Sequence, residues 1–235
     1  MNNASRYVSG EYIDKNPDWH QSDSLWKAGH ISKIIDRNAI SVKDVAEIGC
    51  GAGRIIHELS KVFPDEVLFQ GYDISPKAIE IAKKYEKDNV SYKCLDFIEE
   101  GINVVSLLLV IDVFEHVEDY MEFLRKLRNR ASFYVFHIPL DMNVQGLIRD
   151  KQIVIRNDVG HLHYFSKETA LETLKDTGYE VIDWFYTKSS IELASEHNWG
   201  IRSTIGNIPR RLLFPIFPDL TVKLLGGFSM MVLTK

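Results

Sequence analysis

Residues 42–54 read VKDVAEIGCGAGR. Val42 to Ile48 is a short run of buried-strand character, and Gly49, Gly51 and Gly53 follow at alternate positions before a helix is due near Arg54. Glycines at a strand-to-helix turn carry no Cβ, so a ligand can approach the backbone closely. In the usual dinucleotide fingerprint the third glycine falls three residues after the second. Here that position is Arg54, a poor fit to a pyrophosphate. Glu47, one residue before the end of the strand, suits a cationic ligand and repels a phosphate. The glycines alone are equally consistent with an ordinary βα turn, so the decision lies in what flanks them.

Outward from this loop, strand and helix alternate. Leu25 to Asn38 has apolar residues at helical spacing. Downstream the pattern predicts strands at Val67–Tyr72, Val90–Cys94, Val104–Ile111, Phe133–Ile138 and Glu180–Tyr186, with FSMMVLTK (228–235) supplying a seventh. Helices fall between them at Pro76–Tyr85, Tyr120–Asn129 and Lys167–Asp176, and residues 140–160 read as a long connection. The unbroken run VVSLLLVI (104–111) is expected of a central parallel strand covered on both faces. The fold class is therefore α/β, a doubly wound, mostly parallel seven-stranded sheet with ligands at the carboxyl ends of its strands.

The 235 residues, 45% of them apolar, suit a single domain. It divides into an N-terminal lid or helix (1–39), a core (40–187), a cap insertion (188–228) and the last strand (229–235). A net charge of −5 with signs interspersed gives no concentrated basic face and demotes nucleic acid as a partner. Two cysteines, Cys50 and Cys94, supply neither a disulfide framework nor a zinc pattern, and no apolar leader opens the chain. A cytoplasmic setting is the expectation.

Four acids decide the ligand. Besides Glu47, Asp73 ends the second strand in GYDIS, about twenty residues past the loop, where a carboxylate can accept both ribose hydroxyls. Asp96 in CLDF follows the third strand and could hold an adenine amino group, with Phe97 or Ile74 over a ring face. Asp112 ends the apolar strand in IDVFEHVED. Four successive strands thus finish with a carboxylate on one rim.

In EIGCGAG, GYDIS, CLDF and LLLVIDVFEHVED, in that order, the chain resembles the class I S-adenosylmethionine-dependent methyltransferases over roughly residues 40–187. DVFEHV and GHLHYFSKE are similar to the ubiquinone-biosynthesis O-methyltransferase type and its small-molecule relatives. The resemblance implies a Rossmann-like methyltransferase fold that uses S-adenosylmethionine and yields S-adenosylhomocysteine. By it, Glu47, Gly49, Cys50, Gly51 and Gly53 surround the methionine part and Asp73 the ribose. Asp96 and Phe97 take the adenine, and Asp112 with Val113 the passage to the acceptor. The rivals are a nicotinamide oxidoreductase and a non-catalytic binding module on the same fold.

The flanks address the acceptor. Tyr7, Tyr12, Trp19, His20 and Trp26 form an aromatic N-terminal stretch where this class commonly folds a lid over the donor; Trp19 and Trp26 fit a lid and a packed edge equally well. Lys27 could pair with the donor's carboxylate, although a helix lysine is usually solvated. His116, His137, His161 and His163 all fall near the carboxyl rim, where any of them could serve as a general base or as a hydrogen-bonding structural histidine. His116 is read as structural, and His161 and His163, in the connection after the fifth strand, are the stronger candidates. Ligand spacing supports no metal. In 199–227, Arg202, Arg210 and Arg211 stand beside an apolar stretch. That composition suits a lipid-linked acceptor or a membrane interface, but a packed insertion explains it equally and is preferred. As a cap it would offer Leu212, Phe214 and Phe217 as the acceptor's apolar wall.

Overall fold

The computed structural model describes residues 21–99, 104–193 and 205–235. Seven strands form one sheet: β1 (Asp44–Ile48), β2 (Leu68–Asp73), β3 (Val90–Cys94), β4 (Val105–Ile111), β5 (Ala131–Pro139), β6 (Val181–Thr187) and β7 (Ser229–Thr234). Their spatial order is β3-β2-β1-β4-β5-β7-β6. Pairing is parallel except at β7, which runs antiparallel to both β5 and β6. Chain direction across the sheet reverses between β1 and β4, the switch point at which carboxyl ends open a crevice.

Around the sheet lie α1 (Ser24–Arg37), α2 (Arg54–Leu59), α3 (Pro76–Ala82), α4 (Tyr120–Leu127), α5 (Val144–Ile148), α6 (Lys151–Asp158), α7 (Lys167–Asp176), α8 (Ser189–Glu192), α9 (Ile208–Leu213) and α10 (Pro218–Leu225). The period of two along β4 explains its unbroken apolar run. Leu107, Leu109 and Ile111 join Ile31 and Ile34 of α1 and Ile56 and Leu59 of α2 on one face. Leu108 and Val110 join Leu124 and Leu127 of α4 and Ala170 and Leu174 of α7 on the other.

β3 and α7 have the expected limits, and the other predicted strands and helices shift by a few residues at their ends. The connection after β5 is more ordered than expected. Asn143 caps α5 by accepting from the Gly146 N–H at 2.8 Å, and α6 follows. No residue of α6 is buried, so it carries no core-facing stripe by which periodicity could reveal it. Tyr7, Tyr12, Trp19, His20 and Arg202 lie outside the described residues.

Candidate active site

A cleft of about 700 Å³ opens along the carboxyl ends of β1, β2 and β4. Gly49 and Gly51 line its floor with φ of +66° and +52°, and Gly53, with φ of +76°, stands just outside the lining; L side chains adopt such angles only under strain. Gly53 is needed for packing. A Cβ there would lie 2.5 Å from the Tyr92 ring and 2.8 Å from Ala82 Cβ, and the Tyr92 hydroxyl donates to the Gly53 carbonyl at 2.8 Å. The loop is thereby pinned to β3.

The four rim acids have different surroundings. Glu47 is 1% exposed, and its Oε2 has no hydrogen-bond partner; burial foremost pushes its pKa well above the carboxylate range, despite the nearby Lys27 charge. Asp73 accepts from the Gly51 N–H (2.9 Å) and the Ser75 N–H (2.8 Å), so it also holds the glycine loop against β2. Asp96 is exposed and accepts from the Ile98 N–H at 2.9 Å as a turn residue. Phe97 borders the cleft, but its ring is buried against Tyr72, 5.2 Å between centroids, while Ile74 stands half out of the surface.

Asp112 is the most constrained of the four. Its φ of +54° is unusual for a non-glycine residue. Oδ1 lies 2.6 Å from His137 Nδ1 and Oδ2 lies 2.8 Å from Lys27 Nζ. Burial disfavours its charge, but His137 and Lys27 outweigh it and hold the carboxyl well below its ordinary range. Lys27 is buried rather than solvated and also meets Asp23 at 3.0 Å. Desolvation works against its charge, while Asp112 and Asp23 more than restore it, so the ammonium is held above its usual value. His137 is closed off beneath by Thr187, 2.9 Å from Nε2. Trp26 meets His137 edge-on at 5.9 Å and donates from Nε1 to Glu192 at 2.8 Å, clasping α1 to the start of the insertion.

The part of the cleft where an acceptor is expected is lined by Asp141, Ile155, Val159 and His161 from the connection after β5, and by His116 from the turn after β4. The Leu162 and His163 N–H groups donate to the Glu115 carbonyl at 2.8 and 3.1 Å, joining the two segments. His161 Nδ1 lies 2.7 Å from Asp141 Oδ2. Burial opposes protonation of this imidazole, yet the Asp141 hydrogen bond and the nearby carboxyl groups of Glu115, Asp141 and Asp112 outweigh it and raise its pKa. His163 is not among the lining residues. Its Nε2 sits 2.9 Å from the Val117 carbonyl, where it braces the turn before α4.

Two features of the site were missed in the sequence. Glu115 is 1% exposed with neither oxygen hydrogen-bonded, and burial first, then the Asp112 charge, pushes it up to about 8. Glu115, His116 and His161 also bring their ligating atoms within 4.8 Å of one another, a group able to hold a cation. A glutamate wedged between Phe114 and His116 straight after a buried strand was the available signal. One expectation is corrected. Leu212, Phe214 and Phe217 do not line the cleft: Leu212 and Phe217 point outward, and Phe214 stacks on Phe228 at 5.0 Å against the core. Ile155 and Val159 of the other connection form the apolar wall instead.

A family model described as "Methyltransferase domain" matches residues 19–183. The chain is 30% identical over 90 residues to the malonyl-[acyl-carrier protein] O-methyltransferase of Acetivibrio thermocellus, a stretch covering 38% of this chain and 31% of that protein. It is 29% identical over 104 residues to the mitochondrial ubiquinone biosynthesis O-methyltransferase of Schizosaccharomyces pombe, covering 41% and 37%. The match thus spans about a third of each curated relative. Among solved structures, the magnesium protoporphyrin IX methyltransferase of Synechocystis with bound SAH aligns at TM-score 0.60 and 12% identity, over 90% of this chain and 83% of that one. A plantazolicin methyltransferase crystallised with a desmethyl substrate analog and SAH aligns at 0.61 and 17%, over 100% and 94%. The strand order, the glycine loop with its carboxylate rim and a family match over most of the chain agree: this chain belongs to the methyltransferase-domain family, of the class I S-adenosylmethionine-dependent type.

Proposed function

We propose that the chain, acting as one methyltransferase domain, moves the methyl group of S-adenosylmethionine to an oxygen or nitrogen of a small organic acceptor, leaving S-adenosylhomocysteine. Glu47 carries this reading. It is a carboxyl buried beneath the glycine loop with one oxygen lacking a partner, on a rim that also holds Asp73 and Asp112. Burial keeps its proton on, and a sulfonium or ammonium beside it would draw that proton off and be answered by the carboxylate, whereas the phosphates of a dinucleotide would not. Gly49, Cys50, Gly51 and Gly53 would lie along the methionine part, Asp73 under the ribose, and Asp96, Ile74 and Phe97 around the adenine. Asp112 and Val113 would flank the methyl's path. Lys27 would meet the donor carboxylate.

The donor supplies the electrophilic methyl, so the chain's own tasks are alignment, exclusion of water and handling one proton. His161 takes the acceptor's proton at Nε2, while Asp141 at Nδ1 fixes the ring and stabilises the imidazolium. His163 stays in the turn it braces. Free Cys50 and Cys94 support a reducing, cytoplasmic setting. The test is transfer of label from methyl-labelled S-adenosylmethionine to a panel of phenols, carboxylic acids and amines. Tight binding of S-adenosylhomocysteine without transfer to any of them would favour a non-catalytic binding module.

The orphaned oxygens of Glu115 favour a second reading of the acceptor side, in which Glu115, His116 and His161 hold a divalent cation that positions the acceptor oxygen. Binding would displace the proton that burial keeps on Glu115. Activity lost to a chelator and restored by one divalent metal supports this reading; turnover indifferent to chelation leaves His161 as the base.

A further inference from the structure

Fourteen of the twenty large hydrophobic side chains exposed among the described residues fall in two segments, 142–154 and 205–224. These segments are joined in space. α10 packs on both α5 and α9, α5 leads directly into α6, and Arg210 of α9 donates to Gln145 of α5 at 2.8 Å and to the Gly226 carbonyl at 2.8 Å. The inner side of this cap is settled by buried Arg210, Thr221 and Val222. Its outer side is apolar: Ile148 is 78% exposed, Ile216 67% and Leu212 66%. A packed insertion in a water-exposed enzyme has the reverse pattern, with polar residues outward.

The charges around this face choose its occupant. Arg149, Lys151, Arg156, Arg211 and Lys223 are exposed on these helices and their connections, against Asp150, Asp158 and Asp219, in a chain whose net charge is −5. Asp219 is engaged by Lys167 and Tyr186, and Lys223 pairs with Glu168 at 2.7 Å, so Arg149, Lys151, Arg156 and Arg211 stand against Asp150 and Asp158. Short helices with apolar side chains outward and arginine and lysine among them match the interfacial region of an anionic bilayer, where the apolar groups enter the acyl boundary and the bases meet headgroups. No described helix is long and apolar enough to cross a membrane, and the match is of these short helices to the bilayer surface.

From this we infer that α5, α6, α9 and α10 form a docking face for an anionic lipid bilayer. The acceptor, on the methyl-transfer reading, is then an amphiphile drawn from that surface. α6 makes the connection: Ile153 and Val154 are exposed on it while Ile155, with Val159 just beyond its end, borders the acceptor side of the cleft. A lipophilic molecule leaving the bilayer would pass from one to the other without crossing bulk water.

The full chain should co-sediment with vesicles of phosphatidylcholine containing about one third phosphatidylglycerol, and much less with phosphatidylcholine alone, because headgroup charge adds to apolar burial. Ile148→Asp with Ile216→Asp should lower partitioning about tenfold or more, since both side chains sit at the apolar face. Melting temperature and S-adenosylhomocysteine binding should be unchanged in that variant. Wild-type protein that stays in the supernatant with anionic vesicles overturns the inference, as does a variant that partitions as before. A wild-type dimer that the substitutions convert to monomer, without vesicle binding, would assign the face to self-association instead. Vesicle binding by a protein that does not bind S-adenosylhomocysteine would overturn the methyl-transfer reading and leave the docking face standing.

Discussion

Replacing Glu115 by glutamine removes a carboxyl beside His161 that the fold keeps protonated near neutrality. Glu115 is 1% exposed, without a hydrogen bond to either oxygen, and its pKa rises from 4.5 to about 8 on folding, through burial first and the Asp112 charge second. Between those values the unfolded chain gives up the proton while the native protein keeps it. This contribution to stability is therefore complete below about 4.5 and is lost as pH rises through about 8. At roughly 1.4 kcal/mol per pH unit it amounts to a few kcal/mol over the window, a large share of the ~5–15 kcal/mol typical of a domain. Glutamine has nearly the same shape and does not titrate. In urea titrations at pH 5, 6, 7 and 8, Glu115→Gln should be equal to or weaker than the wild type at pH 5, because an amide is buried without partners, and should gain on it steadily toward pH 8. Asp112, held ionised by His137 and Lys27, contributes with the opposite sign at lower pH, but it is common to both proteins. Parallel stability profiles, with a constant difference from pH 5 to pH 8, would refute the assignment of a buried, protonated Glu115.

Other substitutions separate packing from chemistry. Gly53→Ala should lose about 2–4 kcal/mol in thermal or urea melts, from the left-handed φ and the Tyr92 clash together, and a loss near zero would mean the loop gives way freely. Asp73→Asn should fold and weaken S-adenosylhomocysteine binding in calorimetry by roughly 1–3 kcal/mol; undiminished affinity removes the ribose role. Once an acceptor is in hand, His161→Ala should lower kcat about 10²–10⁴-fold, whereas His163→Ala should alter mainly the melting temperature. Equal kinetic losses in the two would contradict the separation of their roles. Turnover should also rise with pH as His161, held above the usual imidazole range, gives up its proton.

The rim of the cleft was legible in sequence because each of its acids ends or closely follows a strand, and strand ends follow from hydrophobic runs and glycine punctuation. Lys27 against Asp112, and Trp26 against Glu192, were not legible, because they join residues far apart in the chain and depend on where α1 crosses the sheet. The wall of the acceptor site was misplaced for a related reason. Leu212 and Phe217 have the composition of a pocket lining, but composition cannot say which side of α9 and α10 meets the protein. α6 was invisible because no stripe of it is buried, and Ile155 and Val159, which do border the cleft, lay hidden in what read as loop. His161 and His163 looked equivalent two residues apart. Only the fold turns one to Asp141 and the other to the Val117 carbonyl.

A rim of carboxyl groups beneath a glycine loop should select a sulfonium nucleoside over a dinucleotide. Isothermal titration of the full chain with S-adenosylmethionine, S-adenosylhomocysteine and NAD in one buffer tests it most directly. Saturable, micromolar-range binding of both adenosyl ligands and no measurable heat with NAD are expected. Micromolar binding of NAD with no response to either adenosyl ligand would contradict it.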